Sequence, residues 1–265
     1  MPYNANDFPV RLEDGKVTVI SFGTGDKPLV MIPGLRFASI DGGAQPLSWY
    51  YRIFGRSYRI YVIDRKFPPA TGCTIHDLAE DVKKVLDKLG LSSVYLFGAS
   101  QGGMIAQDLT INHPEYVKKL VLGVTASRPN DTMKAVIGGW IKLAQAGRFR
   151  DIVKDYLEKG YSEQYMKKYR IALPLLLKTQ RFMPKESFIT LAKACLSVDT
   201  YDKLDSIKCP VLVLGGSEDK IVTGEASAEI ARKLGCEVHI YKGLSHEAYN
   251  EAKDFNKRIF DFYNK

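Results

Sequence analysis

Cysteine is scarce in this chain of 265 residues, and no CxxC pair occurs. The four cysteines are far apart, at Cys73, Cys195, Cys209 and Cys236. That distribution argues against a disulfide framework and indicates reduced thiols, which are typical of cytoplasmic proteins. No apolar run is long enough to cross a bilayer, and the N-terminal segment lacks the apolar stretch of a signal peptide. We therefore expect a cytoplasmic protein.

Motifs for binding phosphate or nucleic acid are also missing. Neither GxGxxG nor GxxxxGK[ST] occurs, and no run of five basic residues or basic–aromatic interleaving is present. The net charge of +8 and the isoelectric point near 9.1 are therefore interpreted as a solvated basic surface. We expect a small-molecule substrate rather than a nucleic-acid or membrane partner.

Apolar residues make up 45% of the chain, which is enough for a large globular domain. A hairpin is predicted at the start, with Asp14-Gly15 as its turn. Short apolar runs typical of buried strands follow, at 28–32, 59–63, 93–97, 119–124, 210–214 and 237–241. Helical patterns lie between them, one opened by a capping box at Thr74 and closed by Gly90. The alternation predicts an α/β fold, with βαβ units around a mostly parallel sheet and helices on both faces.

One stretch, 129–203, has no strand pattern and carries only helical patches. These lie at 133–146, 149–157, 165–178 and 185–196. The stretch holds 14 lysines or arginines against 8 aspartates or glutamates, so most of the net charge lies there. We predict a core domain formed by 1–128 and 204–265, with 129–203 as a helical insertion between two strands.

The segment Gly98-Ala99-Ser100-Gln101-Gly102 is the motif that carries chemistry. It follows the apolar run at 93–97 and precedes a helical pattern, so Ser100 is expected on a sharp strand-to-helix turn. Such a turn strains the serine backbone, exposes its hydroxyl at the carboxyl edge of the sheet and requires small flanking residues. The start of the helix directs N–H groups at the serine, and the Gln101 N–H is placed to stabilise an oxyanion. The alternative is a glycine-rich turn without a catalytic role.

Histidine is the usual base for such a serine near neutral pH, and the chain has four. His246 follows the last strand pattern in a short polar loop, at the sheet edge expected for Ser100. The other three histidines lie in a first helical turn, at a helix end and inside a strand pattern, at His76, His113 and His239. His246 is therefore the expected base.

An acid is needed to fix the tautomer of the imidazole and to stabilise its charge. Asp219 follows the apolar run at 210–214, and its choice gives the chain order Ser100, Asp219, His246. Glu218 is the alternative acid, or else a solvated carboxylate in the same turn.

These motifs resemble the α/β-hydrolase superfamily along nearly the whole chain, in its esterase, lactonase and aminopeptidase branches. PLVMIPG at 28–34 resembles the strand that leads into the family's oxyanion loop. FGASQGGMIAQ at 97–107 and HPEYVKKLVL at 113–122 resemble its nucleophile strand and helix and the strand that follows.

The resemblance implies the α/β-hydrolase fold, with 129–203 in the place of a helical cap. It also implies that the Leu35 N–H is the second oxyanion donor, beside that of Gln101. One departure is Pro33-Gly34, where many members have His-Gly. A serine nucleophile excludes the haloalkane dehalogenases and epoxide hydrolases of this fold, which use aspartate.

The expected activity is hydrolysis of a small-molecule ester or lactone through an acyl-enzyme on Ser100, without a metal or organic cofactor. The same residues are compatible with an aminopeptidase, a thioesterase, an acyltransferase, a C–C bond hydrolase or a cofactor-free perhydrolase. A third alternative is a ligand receptor that keeps the fold and turns over slowly.

Two arginines and the aromatic residues of the insertion are candidate substrate contacts. Arg36 follows the oxyanion residue, and Arg128 lies at the entrance to the basic insertion, so we hypothesise a substrate with a carboxylate or another anionic group. Trp140 and the tyrosines of the insertion form either an aromatic pocket or packing between helices.

Overall fold

A single sheet runs through the computed structural model, which describes residues 4–169 and 181–265. Within those residues it has eight strands: β1 Asn6–Leu12, β2 Gly15–Phe22, β3 Lys27–Ile32, β4 Tyr58–Phe67, β5 Val94–Ala99, β6 Val117–Gly123, β7 Val211–Gly216 and β8 Glu237–Tyr241. The strand order is β1-β2-β4-β3-β5-β6-β7-β8. β2 pairs antiparallel with both β1 and β4, and from β4 to β8 the pairing is parallel. The carboxyl ends of the parallel strands therefore meet at one edge.

Helices connect the parallel strands, as the alternation of patterns predicts. They are α1 Ala44–Tyr50, α2 Ile75–Leu89, α3 Gln101–Asn112, α4 Asp131–Gln145, α5 Phe149–Gly160, α6 Glu163–Tyr169, α7 Lys185–Cys195, α8 Gly224–Leu234, α9 Ala248–Glu251 and α10 Phe255–Asn264. Thr74 and Asp77 form a capping box at the start of α2, in which the side chain of each residue accepts a hydrogen bond from the backbone N–H of the other. Gly90 ends the helix at a φ of +65°. None of the described helices is long and apolar enough to cross a bilayer.

Apolar side chains cover both faces of the sheet. Val30 and Ile32 of β3 pack into a cluster with α2 and α3, whereas Leu29 and Met31 of the same strand pack into a second cluster with α10. This alternation is what a strand buried on both faces requires. The predicted fold class, a mostly parallel sheet with helices on both faces, is confirmed.

The N-terminal hairpin differs from its prediction by one residue. Leu12 pairs with Gly15, so Glu13 and Asp14 form the turn and Gly15 already belongs to β2. A Cβ on Gly15 would lie 3.0 Å from the Phe67 carbonyl oxygen of β4. The glycine therefore serves a close approach of neighbouring strands rather than the turn.

Strand β4 is longer than its apolar run, and α1 has no counterpart in the predicted elements. The polar end of β4 stays extended because β2 pairs with it as far as Phe67, through Val17↔Lys66 and Lys16↔Phe67. β4 thereby carries charged residues past the apolar run, to the edge where the functional side chains lie.

Helices α4 to α7 lie between β6 and β7, and α4 packs against α7. Three of the four predicted helical patches correspond to α4, α5 and α7. The remaining patch, 165–178, begins within α6, and its part beyond residue 169 lies outside the described residues. The domain boundaries at 128/129 and 203/204 stay a prediction.

Candidate active site

Ser100 lies on the turn between β5 and α3, in a backbone conformation that L-residues rarely adopt. Its φ is +53° and its ψ is −121°, and its N–H donates to the Gly123 carbonyl at 2.9 Å. A Cβ on Gly98 would lie 2.3 Å from the Gly102 oxygen, and one on Gly102 would lie 1.9 Å from the Ile32 oxygen. The strain at the serine is therefore imposed by a turn that only glycine permits at these two positions.

Ser100, His246 and Asp219 form a continuous hydrogen-bonded chain. His246 Nε2 lies 2.9 Å from Ser100 Oγ, and His246 Nδ1 lies 2.7 Å from Asp219 Oδ2. The three residues follow β5, β8 and β7 respectively, at the shared carboxyl edge. The structure thus brings together the three side chains that the sequence assigns to nucleophile, base and acid.

The Asp219 carboxyl is buried and held as an anion. Burial by itself would raise its pKa, but the His246 imidazole and the N–H groups of Ile221 and Val222 outweigh that effect and lower it. These two N–H groups donate to Asp219 Oδ1 at 2.8 and 3.0 Å, which leaves Oδ2 for the histidine. A charged acceptor therefore faces the imidazole at neutral pH.

The alternative residues lie elsewhere. Glu218 is exposed, as expected for a solvated turn carboxylate, and its N–H donates to Leu244 O at 2.9 Å. His76 pairs with Asp108, His113 with Glu80, and the His239 ring packs on Tyr241.

The expected oxyanion donors lie on the two segments that flank Ser100. Gln101 is the first residue of α3, and Gly34 is so close that a Cβ on it would lie 3.2 Å from Ser100 Cβ. Within residues 4–169 and 181–265, neither the Leu35 N–H nor the Gln101 N–H has a hydrogen-bond acceptor. Both donors are therefore available to a ligand at Ser100.

A cavity of about 670 Å³ opens at Ser100 and His246. Its walls come from α1, from the insertion and from the segment 33–43 after β3, which carries the expected donor Leu35 and is called the oxyanion loop. The insertion contributes Met133, Ile137, Trp140, Tyr156, Tyr161 and Cys195. The Trp140 ring lies edge-on to Tyr156 and its Nε1 donates to Asp155 at 2.7 Å. Trp140 therefore does both things that the sequence left open, since it packs between helices and lines the cavity.

The two arginines expected to contact substrate have different positions. Arg36 lines the cavity. Arg128 is not among the described residues that line the cavity, because its guanidinium pairs with Glu229 and stacks on the Tyr201 ring at 4.0 Å; its contact with substrate stays a prediction. A nearby carboxylate on α8 attracts it there, and sequence spacing carries no sign of that partner.

Glu247, next to His246, is a buried residue that the sequence reasoning missed. Its carboxylate accepts hydrogen bonds from Tyr156, Tyr249 and Asn250, and its N–H donates to the Gly160 carbonyl at 2.7 Å. The loop that carries His246 is thereby tied to α5 of the insertion. The only signal in the sequence is a charged residue beside the candidate base.

Replacing Glu247 with glutamine is expected to change how stability depends on pH. Burial raises the pKa of the Glu247 carboxyl to about 7, against hydrogen bonds from Tyr249 and Asn250 that lower it. A raised folded-state pKa stabilises the protein at acid pH, and this contribution is lost as pH rises through about 7. Between pH 5 and 8 the wild type should therefore lose about 3 kcal/mol of unfolding free energy relative to Glu247→Gln.

Urea unfolding of both proteins at several pH values measures this difference, with the exposed Glu218→Gln as control. If the unfolding free energies of the wild type and Glu247→Gln depend on pH in the same way, the pKa of Glu247 is not raised.

The strand order, the inserted helices and a serine at the β5–α3 turn define an α/β hydrolase. The chain matches the family model described as serine aminopeptidase, S33, over residues 65–253, and it belongs to that family.

Curated relatives are similar over most of their length. A protein of Rhizobium rhizogenes named "Putative carbamate hydrolase RutD" is 23% identical, with 94% of this chain and 93% of that protein covered. A 2-hydroxy-6-oxononadienedioate/2-hydroxy-6-oxononatrienedioate hydrolase of Paraburkholderia phymatum is 28% identical, with 91% and 88% covered. Among solved structures, the enol-lactonase of Burkholderia xenovorans LB400 has a TM-score of 0.84 at 19% identity, with 97% of this chain and 100% of that chain covered. At 19% identity, the similarity to this structure shows the fold alone.

Proposed function

We propose that this protein is a serine hydrolase that cleaves a small-molecule ester or lactone through an acyl-enzyme on Ser100. The observation that carries the proposal is the Ser100–His246–Asp219 chain, with both hydrogen bonds under 3 Å and the acid buried as an anion. A glycine-rich turn without a catalytic role has no need of this arrangement.

The reaction follows from the geometry. Ser100 Oγ attacks the carbonyl carbon while its proton passes to His246 Nε2, and Asp219 stabilises the imidazolium through Nδ1–H. The carbonyl π bond opens to an oxyanion, which accepts from the Leu35 and Gln101 N–H groups. As the tetrahedral intermediate collapses, His246 protonates the departing alkoxide. Water then attacks the acyl-enzyme by the same steps and releases the acid.

The insertion serves as a cap in this proposal. Six of its described residues line the cavity at Ser100, so the bound substrate lies between the sheet edge and the insertion. Enclosure of this kind excludes water from the developing charge.

The chemistry of the cavity favours a largely apolar substrate. Arg36 is the cationic side chain among the described lining residues, and Asp41 and Glu247 are acidic, so the positive charge of the insertion is not reproduced there. An anionic substrate would depend on Arg36. If neutral esters turn over as well as anionic analogues, the enzyme does not use Arg36 to select an anionic substrate.

C–C bond hydrolysis is the second candidate. It is favoured by the curated relatives named 2-hydroxy-6-oxononadienedioate/2-hydroxy-6-oxononatrienedioate hydrolase, of which one is 28% identical to this chain. Parallel assays with aryl esters, lactones and vinylogous 1,5-diketones distinguish the two, since only a C–C hydrolase cleaves the diketones.

Labelling with a fluorophosphonate tests the shared mechanism. We expect the wild type to gain the mass of one phosphonyl group, on the peptide that contains Ser100, and Ser100→Ala to gain none. Ser93→Ala, at another serine with positive φ that lies before β5, is the matched control and should label like the wild type. A folded wild type that stays unlabelled contradicts the proposal and favours the receptor alternative.

A further inference from the structure

Arg65 is a buried arginine that is hydrogen-bonded to Gln101, the residue after Ser100. Only 8% of it is exposed, near the carboxyl end of β4. Its Nη2 donates to Pro33 O at 2.5 Å and to Gly34 O at 3.4 Å, and its Nε donates to Gln101 Oε1 at 3.0 Å. All three acceptors are neutral oxygens, so the guanidinium is not held there by a carboxylate.

The acceptors lie on the two segments that carry the oxyanion donors. In a trans peptide the C=O and the N–H point in opposite directions. Because the Gly34 carbonyl faces Arg65, the Leu35 N–H of the same peptide faces the other way. Pro33 has no N–H, so its carbonyl is its only backbone group that can anchor the loop by a hydrogen bond.

The Gln101 side chain connects this arrangement to the insertion. Its Oε1 accepts from Arg65, while its Nε2 donates to the Leu191 carbonyl of α7 at 2.7 Å and contacts Cys195 Sγ at 3.1 Å. With both ends of its amide bound, Gln101 is fixed at the first turn of α3, where its own N–H is the other oxyanion donor.

We propose that Arg65 is a positioning residue that holds the oxyanion loop and the start of α3 in register, so that the Leu35 and Gln101 N–H groups converge on one point beside Ser100. The inference rests on the proposed serine mechanism. Arg65 touches no reacting atom in it, and it acts through the carbonyls of Pro33 and Gly34 and the side chain of Gln101.

The charge of Arg65 adds to this effect. Burial lowers the pKa of its guanidinium to about 10, with Asp64 acting in the opposite direction, so the group stays cationic at neutral pH. A fixed positive charge behind two N–H dipoles favours the anionic tetrahedral intermediate over the neutral ester. Removal of Arg65 should therefore affect the transition state more than substrate binding.

The test compares Arg65→Met, Arg65→Lys and the control Arg59→Met. Arg59 is also on β4, and it donates to the Gly23 carbonyl at 2.8 Å. For an ester substrate, we expect Arg65→Met to lower kcat by about 10²-fold, as for the loss of one oxyanion donor. KM should change by less than about threefold. Affinity for a boronic acid, whose serine adduct is a tetrahedral anion, should fall with kcat.

Arg65→Lys keeps the charge but cannot bind the loop and Gln101 together, so its kcat should lie between those of the wild type and Arg65→Met. Arg59→Met should match the wild type. Equal losses in both Met variants, or a rise in KM at constant kcat, would overturn the proposal. If Arg65→Met does not fold, the lysine variant decides, and wild-type kcat in that variant overturns the inference.

A readout independent of turnover separates this inference from the proposed function. The backbone amide resonances of Gly34, Leu35 and Gln101 should shift in Arg65→Lys and stay unchanged in Arg59→Met. If the wild type is not labelled by a fluorophosphonate, the serine mechanism fails. The resonances then still show whether Arg65 holds the loop, and unshifted resonances overturn that role.

Discussion

His246→Ala is expected to lower kcat for an activated ester by about 10⁵-fold or more, the range seen when the base of such a triad is removed. The imidazole is the group within reach of Ser100 Oγ, at 2.9 Å, that can take its proton. Without it the hydroxyl attacks as a neutral alcohol, and the leaving group departs without a proton. The oxyanion donors remain, so a small residual rate over the uncatalysed reaction should persist.

Steady-state hydrolysis and the rate of fluorophosphonate labelling measure this loss together. The control is His239→Ala, because His239 lies on the neighbouring β8 and its ring packs on Tyr241. That variant should retain wild-type kcat. A loss of less than tenfold in folded His246→Ala would remove His246 from the mechanism.

Asp219→Asn is expected to lower kcat by about 10⁴-fold while the fold is retained. Oδ1 of Asp219 accepts from two backbone N–H groups, and an asparagine can keep both bonds only with its oxygen in that position. Its NH₂ group then faces His246 Nδ1 and donates to it. The imidazole is forced to carry its proton on Nε2, which cannot accept the proton of Ser100.

Glu218→Gln is the matched control, one residue away and also a change from carboxylate to amide. Because Glu218 is exposed, we expect no change in kcat. Measurement of kcat for both variants against pH gives the test. A modest effect in Asp219→Asn, or an equal one in Glu218→Gln, would show that the buried carboxylate does not orient the base.

The positions of Ser100, Asp219 and His246 could be predicted because each lies in the turn or loop that follows an apolar strand pattern. Parallel strands end at the same edge, so three loops in one register are brought together whatever the details of packing. The start of α2 and the tight turn at Ser100 could also be predicted, because the capping box at Thr74 and the glycines around Ser100 act over only a few residues. The bounds of β8 agree with those of its apolar run.

Features that depend on distant partners could not be predicted. The polar end of β4 is a strand because β2 pairs with it. Arg128 lies outside the cavity because it pairs with Glu229, which is 101 residues away in the sequence. Arg65 carried one weak signal, a charged residue just past an apolar strand run at the functional edge. Two of its three acceptors are main-chain carbonyls, which every residue possesses, so composition gives no sign of them.

The placement of Trp140 has a spectroscopic consequence. The chain has two tryptophans, and they differ sharply in environment: Trp49 is 64% exposed, whereas Trp140 is 4% exposed on the wall of the cavity. Iodide should quench the red-shifted emission of Trp49 and leave the blue-shifted emission of Trp140. The remaining signal reports whether the cavity is filled, so that ligands can be screened by titration before any turnover substrate is known.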